Sequence, residues 1–108
     1  MGLLYNEMND KKGAERSFAK AVALKTTNPR VYYNYGLLLN EIKKFKEAET
    51  VLQKGISLDP SSAEMYYALC FVYIQSNNTI KAKETAIKLK QLDPGNPGYQ
   101  QLFKNFGI

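Results

Sequence analysis

Apolar and polar residues between positions 29 and 62 follow a helical period. Residues of one apolar face recur every three or four positions, at Tyr32, Tyr35, Gly36, Leu39 and Ile42. A second face follows after a short polar stretch, at Ala48, Val51, Leu52, Gly55, Ile56 and Leu58. Pro29 suits a first helical turn, and Asp59 precedes Pro60, where a helix is expected to end. The pattern therefore predicts two amphipathic helices that pack as a hairpin.

This pattern repeats with a period of 34 residues. The corresponding positions are Gly2, Gly36 and Cys70; Ala14, Ala48 and Ala82; Leu24, Leu58 and Leu92; and Asp59-Pro60 and Asp93-Pro94. Small residues at the Gly36 and Ala48 positions would let the two helices of a hairpin approach closely. Cys70 occupies the Gly36 position of the next unit, so we expect it to be a buried and unreactive thiol. In the turn, Asn77 tolerates a left-handed backbone, whereas Lys43 at the same position would cost about 1 kcal/mol.

The spacing of these residues resembles the tetratricopeptide repeat family, whose 34-residue pattern is W-x₂-L-G-x₂-Y, A-x₃-F and P. The second unit matches it at Tyr32, Tyr35, Gly36, Leu39, Ala48, Leu52 and Pro60. The third matches it at Tyr66, Leu69, Cys70, Tyr73, Ala82, Ala86 and Pro94, and the first at Gly2, Tyr5, Ala14 and Phe18. The resemblance implies an all-α fold. It would be a right-handed α-solenoid of antiparallel helix pairs, with about two and a half repeat units and a C-terminal capping helix.

The repeat divides the chain into segments of a single domain. We expect a truncated first unit at residues 1–28, a second unit at 29–62, a third at 63–96 and the capping helix at 97–108. By the period, about six residues of the first unit would precede Met1, so we expect the chain to be cut from a longer protein. The alternative is that the start is a capping variant of the repeat. Pro97–Phe106 combines one apolar face with polar residues elsewhere, as a terminal cap does. We therefore expect Ile108 to lie at or near the C-terminus of that protein.

The resemblance also implies a concave groove lined by the first helix of each pair. The predicted groove residues are Arg30, Tyr33, Asn34, Leu37, Asn40, Glu41, Glu64, Tyr67, Phe71 and Ile74, with Leu3, Asn6, Glu7, Ala68, Gln75, Gln101 and Asn105 beside them. Their composition is an apolar, aromatic stripe with amide and carboxylate edges, which is typical of surfaces that bind an extended peptide or a helix. The alternative is that Tyr33, Leu37 and Phe71 only complete the core.

One known mode of peptide recognition is not predicted here. In the cochaperones of the family, a clamp of Lys, Arg and Asn residues holds a C-terminal carboxylate. In this chain only Asn34 matches that set, while Glu64 and Ala68 stand where the third unit of the clamp has basic residues. We therefore do not expect the groove to recognise a chaperone C-terminus.

Charge and composition exclude several other classes of function. The net charge of +5 permits an acidic partner. A nucleic-acid partner is disfavoured, because lysine and glutamate are interleaved and form no continuous basic surface. With one cysteine and no histidine, the chain offers almost no ligands for a zinc-type site, and no cofactor is expected. No apolar run approaches the roughly 18 residues of a membrane span, and no targeting signal is visible. We expect no membrane partner and, by default, a cytoplasmic location.

The sequence therefore predicts a non-catalytic scaffold for protein–protein interaction, which binds a peptide or helix in its groove. Catalysis is not expected, because neither a histidine base nor a glycine-rich phosphate loop is present. One alternative is self-association into a homodimer through the N-terminal end, where Tyr5, Phe18 and Tyr32 would be exposed. A helical-repeat nucleic-acid binder is the less favoured alternative.

Overall fold

Helical hairpins recur along the chain at the positions that the repeat predicts. The computed structural model describes the backbone of residues 2–108 and the side chains of residues 11–108. Its helices are α1 (Gly2–Ala23), α2 (Pro29–Glu41), α3 (Phe45–Leu58), α4 (Ala63–Gln75), α5 (Thr79–Leu92) and α6 (Gln100–Asn105), and a 3₁₀ turn (Pro97–Tyr99) precedes α6. No strand occurs within residues 2–108. The predicted all-α solenoid is confirmed.

The core lies inside and between the two complete hairpins. Helix α2 packs on α3, and α4 packs on α5, while α4 also contacts both helices of the preceding pair. The most deeply buried side chains of each hairpin include those at the repeated positions, such as Ala48 and Leu52 in α3 and Ala82 and Ala86 in α5. Each hairpin therefore buries its inner face internally, and the stacking of hairpins buries the rest.

The small residues at the hairpin crossings do what the sequence predicts. A Cβ atom at Gly36 would lie 2.4 Å from the Leu52 side chain, so the two helices meet there without room for a methyl group. Cys70, at the same repeat position, is fully buried and its thiol donates to the Ala82 carbonyl at 3.3 Å. Burial raises the pKa of the Cys70 thiol to about 11. These features agree with a structural and unreactive cysteine.

The turns inside the two hairpins share one backbone conformation. Lys43 has a φ angle of +64° and Asn77 one of +62°, both in the left-handed region. Lys43 therefore adopts the left-handed conformation for which the sequence analysis expects a steric cost. Side-chain caps fix where three helices begin: Asn28 accepts from the backbone N–H of Arg30, Ser62 from that of Met65, and Asn78 from that of Lys81.

The N-terminal segment is a single continuous helix. Helix α1 runs without a break from Gly2 to Ala23, although the repeat places a turn near residue 9. It packs antiparallel to α2, and the ring centres of Phe18 and Tyr35 lie 5.7 Å apart in a stacked arrangement. Beyond the end of α2, Lys44 forms a salt bridge with Glu15 of α1 at 2.6 Å. Tyr32 is only 1% exposed and Phe18 is half-buried, so the prediction that this end exposes them is wrong for Tyr32, which packs inside the array. The side chain of Tyr5 lies outside the described residues. Self-association through this end stays a prediction.

The C-terminal segment folds back onto α5 as one short helix. The predicted helix at 97–106 begins as the 3₁₀ turn and continues as α6. Phe103 is buried, and Leu102, Phe106 and Ile108 pack against the core. None of the helices in residues 2–108 combines the length and the apolar character needed to cross a bilayer.

Candidate functional site

The outward sides of α2, α4 and α6 form one surface, which we call the first-helix face. Six of the predicted groove residues are exposed on it: Arg30, Asn34, Glu41, Glu64, Phe71 and Ile74. Tyr33, Leu37 and Tyr67 are half-buried, and Gln75, Gln101 and Asn105 are exposed. The side chains of Leu3, Asn6 and Glu7 lie outside the described residues. Most of the predicted residues therefore reach one surface.

The most apolar part of this face lies between α4 and α6. Phe71 and Ile74 are 41% and 40% exposed, although both are large apolar side chains on a regular helix. Together with Tyr67 they form one wall of a cleft of about 230 Å³. The opposite wall belongs to the C-terminal segment and consists of Gly98, Gln101, Leu102 and Asn105. The cleft thus offers an apolar floor with two amide side chains at its edge.

Aromatic packing holds the cleft in shape. The Tyr67 ring lies 4.8 Å from the Tyr99 ring, which in turn makes an edge contact with Phe103 at 6.5 Å. Burial is the main cause that raises the pKa of Tyr99, with a further contribution from the charge of Glu64. The Gln101 side chain donates to Asn105 at 3.1 Å across one turn of α6. These contacts limit the rotamers available to both walls.

Two predicted groove residues are not accessible, and the prediction is wrong for them. Asn40 is only 8% exposed and Ala68 is buried. Both lie on the flanks of their helices rather than at the centre of the outward side, and α2 and α4 pack directly against each other. The sequence could not show how far this contact extends around each helix. The Asn40 Oδ1 atom has no hydrogen-bond partner within the described residues.

The half-buried residues of α2 form a second, flatter part of the face. Tyr33 and Leu37 pack against the core while keeping part of their surface exposed. The apolar stripe therefore contains residues of both expected kinds, some that complete the core and some that stay exposed. Tyr33 and Leu37 contribute mainly to the contact between helices, whereas Phe71 and Ile74 remain available at the surface.

The charged residues on the face are already paired. The Arg30 guanidinium lies 3.6 Å from the Glu64 carboxylate and 5.6 Å from the centre of the Tyr33 ring. The Glu41 carboxylate lies 3.2 Å from the ammonium group of Lys11 on α1. These pairs are exposed and individually weak, but they leave the face without an excess of either sign.

Sequence reasoning predicted Gln101 and Asn105 of the C-terminal segment beside the groove, but it missed the other residues of that segment that form the cleft. Gly98, Tyr99 and Leu102 were expected only to belong to a cap. The available signal was the fourth repeat, because the predicted helix at 97–106 occupies the position of a further first helix. Among the side chains of residues 11–108, no three His, Cys, Asp or Glu residues are grouped closely enough to hold a metal ion.

Comparison with known proteins agrees with the fold. The profile of the tetratricopeptide repeat matches residues 43–103, which is more than half of the chain. No curated protein sequence matches the chain.

Three solved structures illustrate the likeness. The first TPR of RPAP3 bound to an HSP90 peptide is 19% identical, with 98% of this chain and 84% of that chain covered and a TM-score of 0.81. The Yersinia enterocolitica chaperone SycD, in complex with a peptide of the translocator YopD, is 12% identical, with coverage of 98% and 81% and a TM-score of 0.77.

MamA from Desulfovibrio magneticus RS-1 is 28% identical, with 99% of this chain covered and a TM-score of 0.80. The present chain spans 60% of that MamA chain. Since the repeated positions, the stacked hairpins and the sequence profile all agree, the chain belongs to the tetratricopeptide repeat family.

Proposed function

We propose that the chain is a protein-interaction scaffold that binds an apolar peptide or helix in the cleft between α4 and α6. The observation that carries the proposal is the exposure of Phe71 and Ile74 beside Tyr67, in a cleft whose opposite wall is formed by the C-terminal segment. Aromatic and aliphatic side chains at the centre of a concave surface are common anchors for a partner. Peptide complexes of RPAP3 and SycD lend support from the same fold.

The chemistry of the face favours a ligand with apolar anchors and little charge. Arg30 is the only cation of α2 and α4 and is already paired with Glu64, so a terminal carboxylate would find no free cation on these two helices. The amides of Gln101 and Asn105 stand at the edge of the cleft, where they can donate to and accept from a peptide backbone. An extended peptide or helix that inserts one or two apolar side chains fits these features.

Random peptides displayed on phage supply a test. We expect peptides selected on the 108-residue chain to be rich in aromatic and branched aliphatic residues. The double substitution Phe71→Ala/Ile74→Ala should weaken binding of a selected peptide by about 30-fold or more, as loss of interface anchors does. Fluorescence anisotropy measures the affinity, and the thermal melt checks that the fold is retained.

A matched control lies on another helix. Ile87 of α5 is 41% exposed, as Phe71 is, but it does not border the cleft. Ile87→Ala should leave the affinity unchanged, and raising the salt concentration should change it by less than about threefold, because the expected contacts are apolar. Full affinity of the Phe71→Ala/Ile74→Ala chain would rule the cleft out as the binding site.

A further inference from the structure

The outward side of α5 carries apolar residues that the fold does not use. Ile80, Glu84, Ile87 and Gln91 follow one another at helical spacing, and we call them the α5 ridge. All four are exposed, and Ile80 is 77% exposed. The opposite side of α5 supplies the core residues Ala82, Thr85, Ala86 and Leu89. The isoleucines therefore face solvent because of their position on the helix and not because the helix is loosely packed.

Lysines border the α5 ridge on both sides. Lys81 and Lys88 lie along one side, and Lys83 and Lys90 along the other, while Glu84 is the only acidic residue of the helix. Lys81 lies 3.5 Å from Glu49, and the ammonium group of Lys90 lies 5.8 Å from the centre of the Phe103 ring.

The other two lysines have no such partner. Within residues 11–108, neither Lys83 nor Lys88 forms a salt bridge. The α5 ridge is therefore an apolar line inside a basic border.

The equivalent helix of the preceding repeat lacks this pattern. One period earlier, α3 has Lys46, Thr50, Gln53 and Ser57 where α5 has the ridge residues. Its borders also carry Glu47 and Glu49, so they are not uniformly basic. Both helices bury the same repeated positions. The two isoleucines and the basic border are therefore not a requirement of the repeat.

The spacing of the ridge is that of one strand of a coiled coil. Ile80 and Ile87 are seven residues apart, Glu84 and Gln91 fall between and after them, and the four lysines occupy the positions that flank such a seam. Flanking charges select a partner helix of opposite sign. We propose that the α5 ridge docks an acidic amphipathic helix of a partner protein, with apolar residues against Ile80 and Ile87 and carboxylates against the lysines.

Glu84 distinguishes this partner from a lipid surface. It lies between the two isoleucines, at the centre of the ridge, so an anionic bilayer would have to accept a carboxylate where the helix inserts. A partner helix can place an amide or a cation opposite Glu84. Nucleic acid would engage the lysines through its phosphates and would gain little from the isoleucines. Apolar centre, central carboxylate and basic border together fit a protein helix.

The probe is a designed peptide of about three heptads with leucine along its seam, one asparagine at the central seam position and glutamate at every flanking position. Its counterpart carries lysine at the flanking positions. Fluorescence anisotropy with the dye-labelled peptides should show binding of the acidic peptide to the 108-residue chain. The basic peptide should bind at least about tenfold more weakly. Binding of the acidic peptide should also weaken about tenfold as the salt concentration rises to roughly 0.5 M.

Substitutions taken from α3 separate an apolar seam from simple charge attraction. Ile80→Lys/Ile87→Gln places the α3 residues at the same repeat positions and adds one positive charge. If the seam is used, this chain binds the acidic peptide at least about tenfold more weakly. If only charge matters, it binds more tightly. Lys83→Glu/Lys88→Glu should reverse the preference in favour of the basic peptide.

Three results would overturn the proposal. They are equal affinity for the two peptides, tighter binding by the Ile80→Lys/Ile87→Gln chain, and sedimentation with vesicles of phosphatidylserine and phosphatidylcholine in place of peptide binding. The Phe71→Ala/Ile74→Ala chain should bind the acidic peptide normally, because the α4–α6 cleft lies on other helices. Failure at one surface is therefore distinguishable from failure at the other.

Discussion

At the scale of single residues, the hairpins depend on pairs of complementary size. Gly36 allows the large Leu52 side chain to reach the opposite backbone. At the same positions of the next unit, the larger Cys70 is matched by the smaller Ala86, and both are fully buried. In each unit one helix thus contributes the larger and the other the smaller residue of the pair, as close packing requires.

Gly36→Ala tests this complementarity. Within a helix, replacing glycine by alanine normally stabilises by about 1 kcal/mol. Here the new methyl group would lie 2.4 Å from Leu52, so we expect a net loss of about 1–3 kcal/mol in the free energy of unfolding. Gly13→Ala in α1 is the control. Its Cβ would meet nothing within 4 Å, so this substitution should stabilise the fold. Urea denaturation of both chains measures the difference, and a stabilising Gly36→Ala would contradict the packing argument.

At the scale of elements, a polar contact joins three helices on the side away from the first-helix face. The Tyr73 hydroxyl of α4 donates to the Glu49 carboxylate of α3 at 2.5 Å, and Lys81 of α5 lies 3.5 Å from the same oxygen. The hydrogen bond from Tyr73 is the main cause that lowers the pKa of Glu49. Burial, with the same hydrogen bond, raises the pKa of Tyr73. The contact therefore links consecutive repeats through a charged acceptor.

Tyr73→Phe should destabilise the chain in a pH-dependent manner. At pH 7 we expect a loss of about 1–3 kcal/mol, since the hydroxyl bonds a charged group. Because folding lowers the pKa of Glu49, this stabilisation is fully present above the pKa of an unfolded glutamate, about 4.3. It is lost as the pH falls through the lowered pKa of the folded state. Urea denaturation at neutral and at acidic pH should show the cost shrink with acid. If the loss of stability does not change with pH, it comes from packing and not from the hydrogen bond. Tyr66→Phe on the same helix is the control.

Comparison of neighbouring elements also shows where sequence reasoning reaches its limit. The helical period identified Phe71 and Ile74 as outward residues, and both are exposed. The same period placed Asn40 and Ala68 beside the groove, yet both are covered. A period defines the direction of a side chain on its own helix. It does not define how closely the next helix approaches, which depends on the summed packing of α2, α3 and α4.

At the scale of the whole molecule, α6 packs against the last complete hairpin. Phe103 is buried, and the C-terminal segment covers α5 while it also supplies one wall of the candidate cleft. In a repeat array each unit depends on its neighbours for part of its burial. The C-terminal segment thus contributes both to stability and to the proposed binding site.

Phe103→Ala separates the cap from the rest of the array. Truncating a buried phenylalanine removes about 3–5 kcal/mol of stability, and the loss should be felt first by the unit that the cap covers. Hydrogen exchange should increase more in α5 than in α2, because interface terms act between nearest neighbours. Phe71→Ala is the control, since that side chain is 41% exposed and should change exchange little. A uniform increase along the chain would instead indicate a single cooperative unit.

The sequence by itself determined the two complete hairpins, their left-handed turns, the close approach at Gly36 and the burial of Cys70. These features depend on residues close in sequence and on a period that recurs, so local rules suffice. Only the tertiary structure decided that α1 is one continuous helix, that Asn40 is covered and that Gly98 and Leu102 help to form a cleft with α4. The exposure of the α5 ridge was also decided there. Each of these depends on how far separate elements approach one another, and no local pattern encodes that distance.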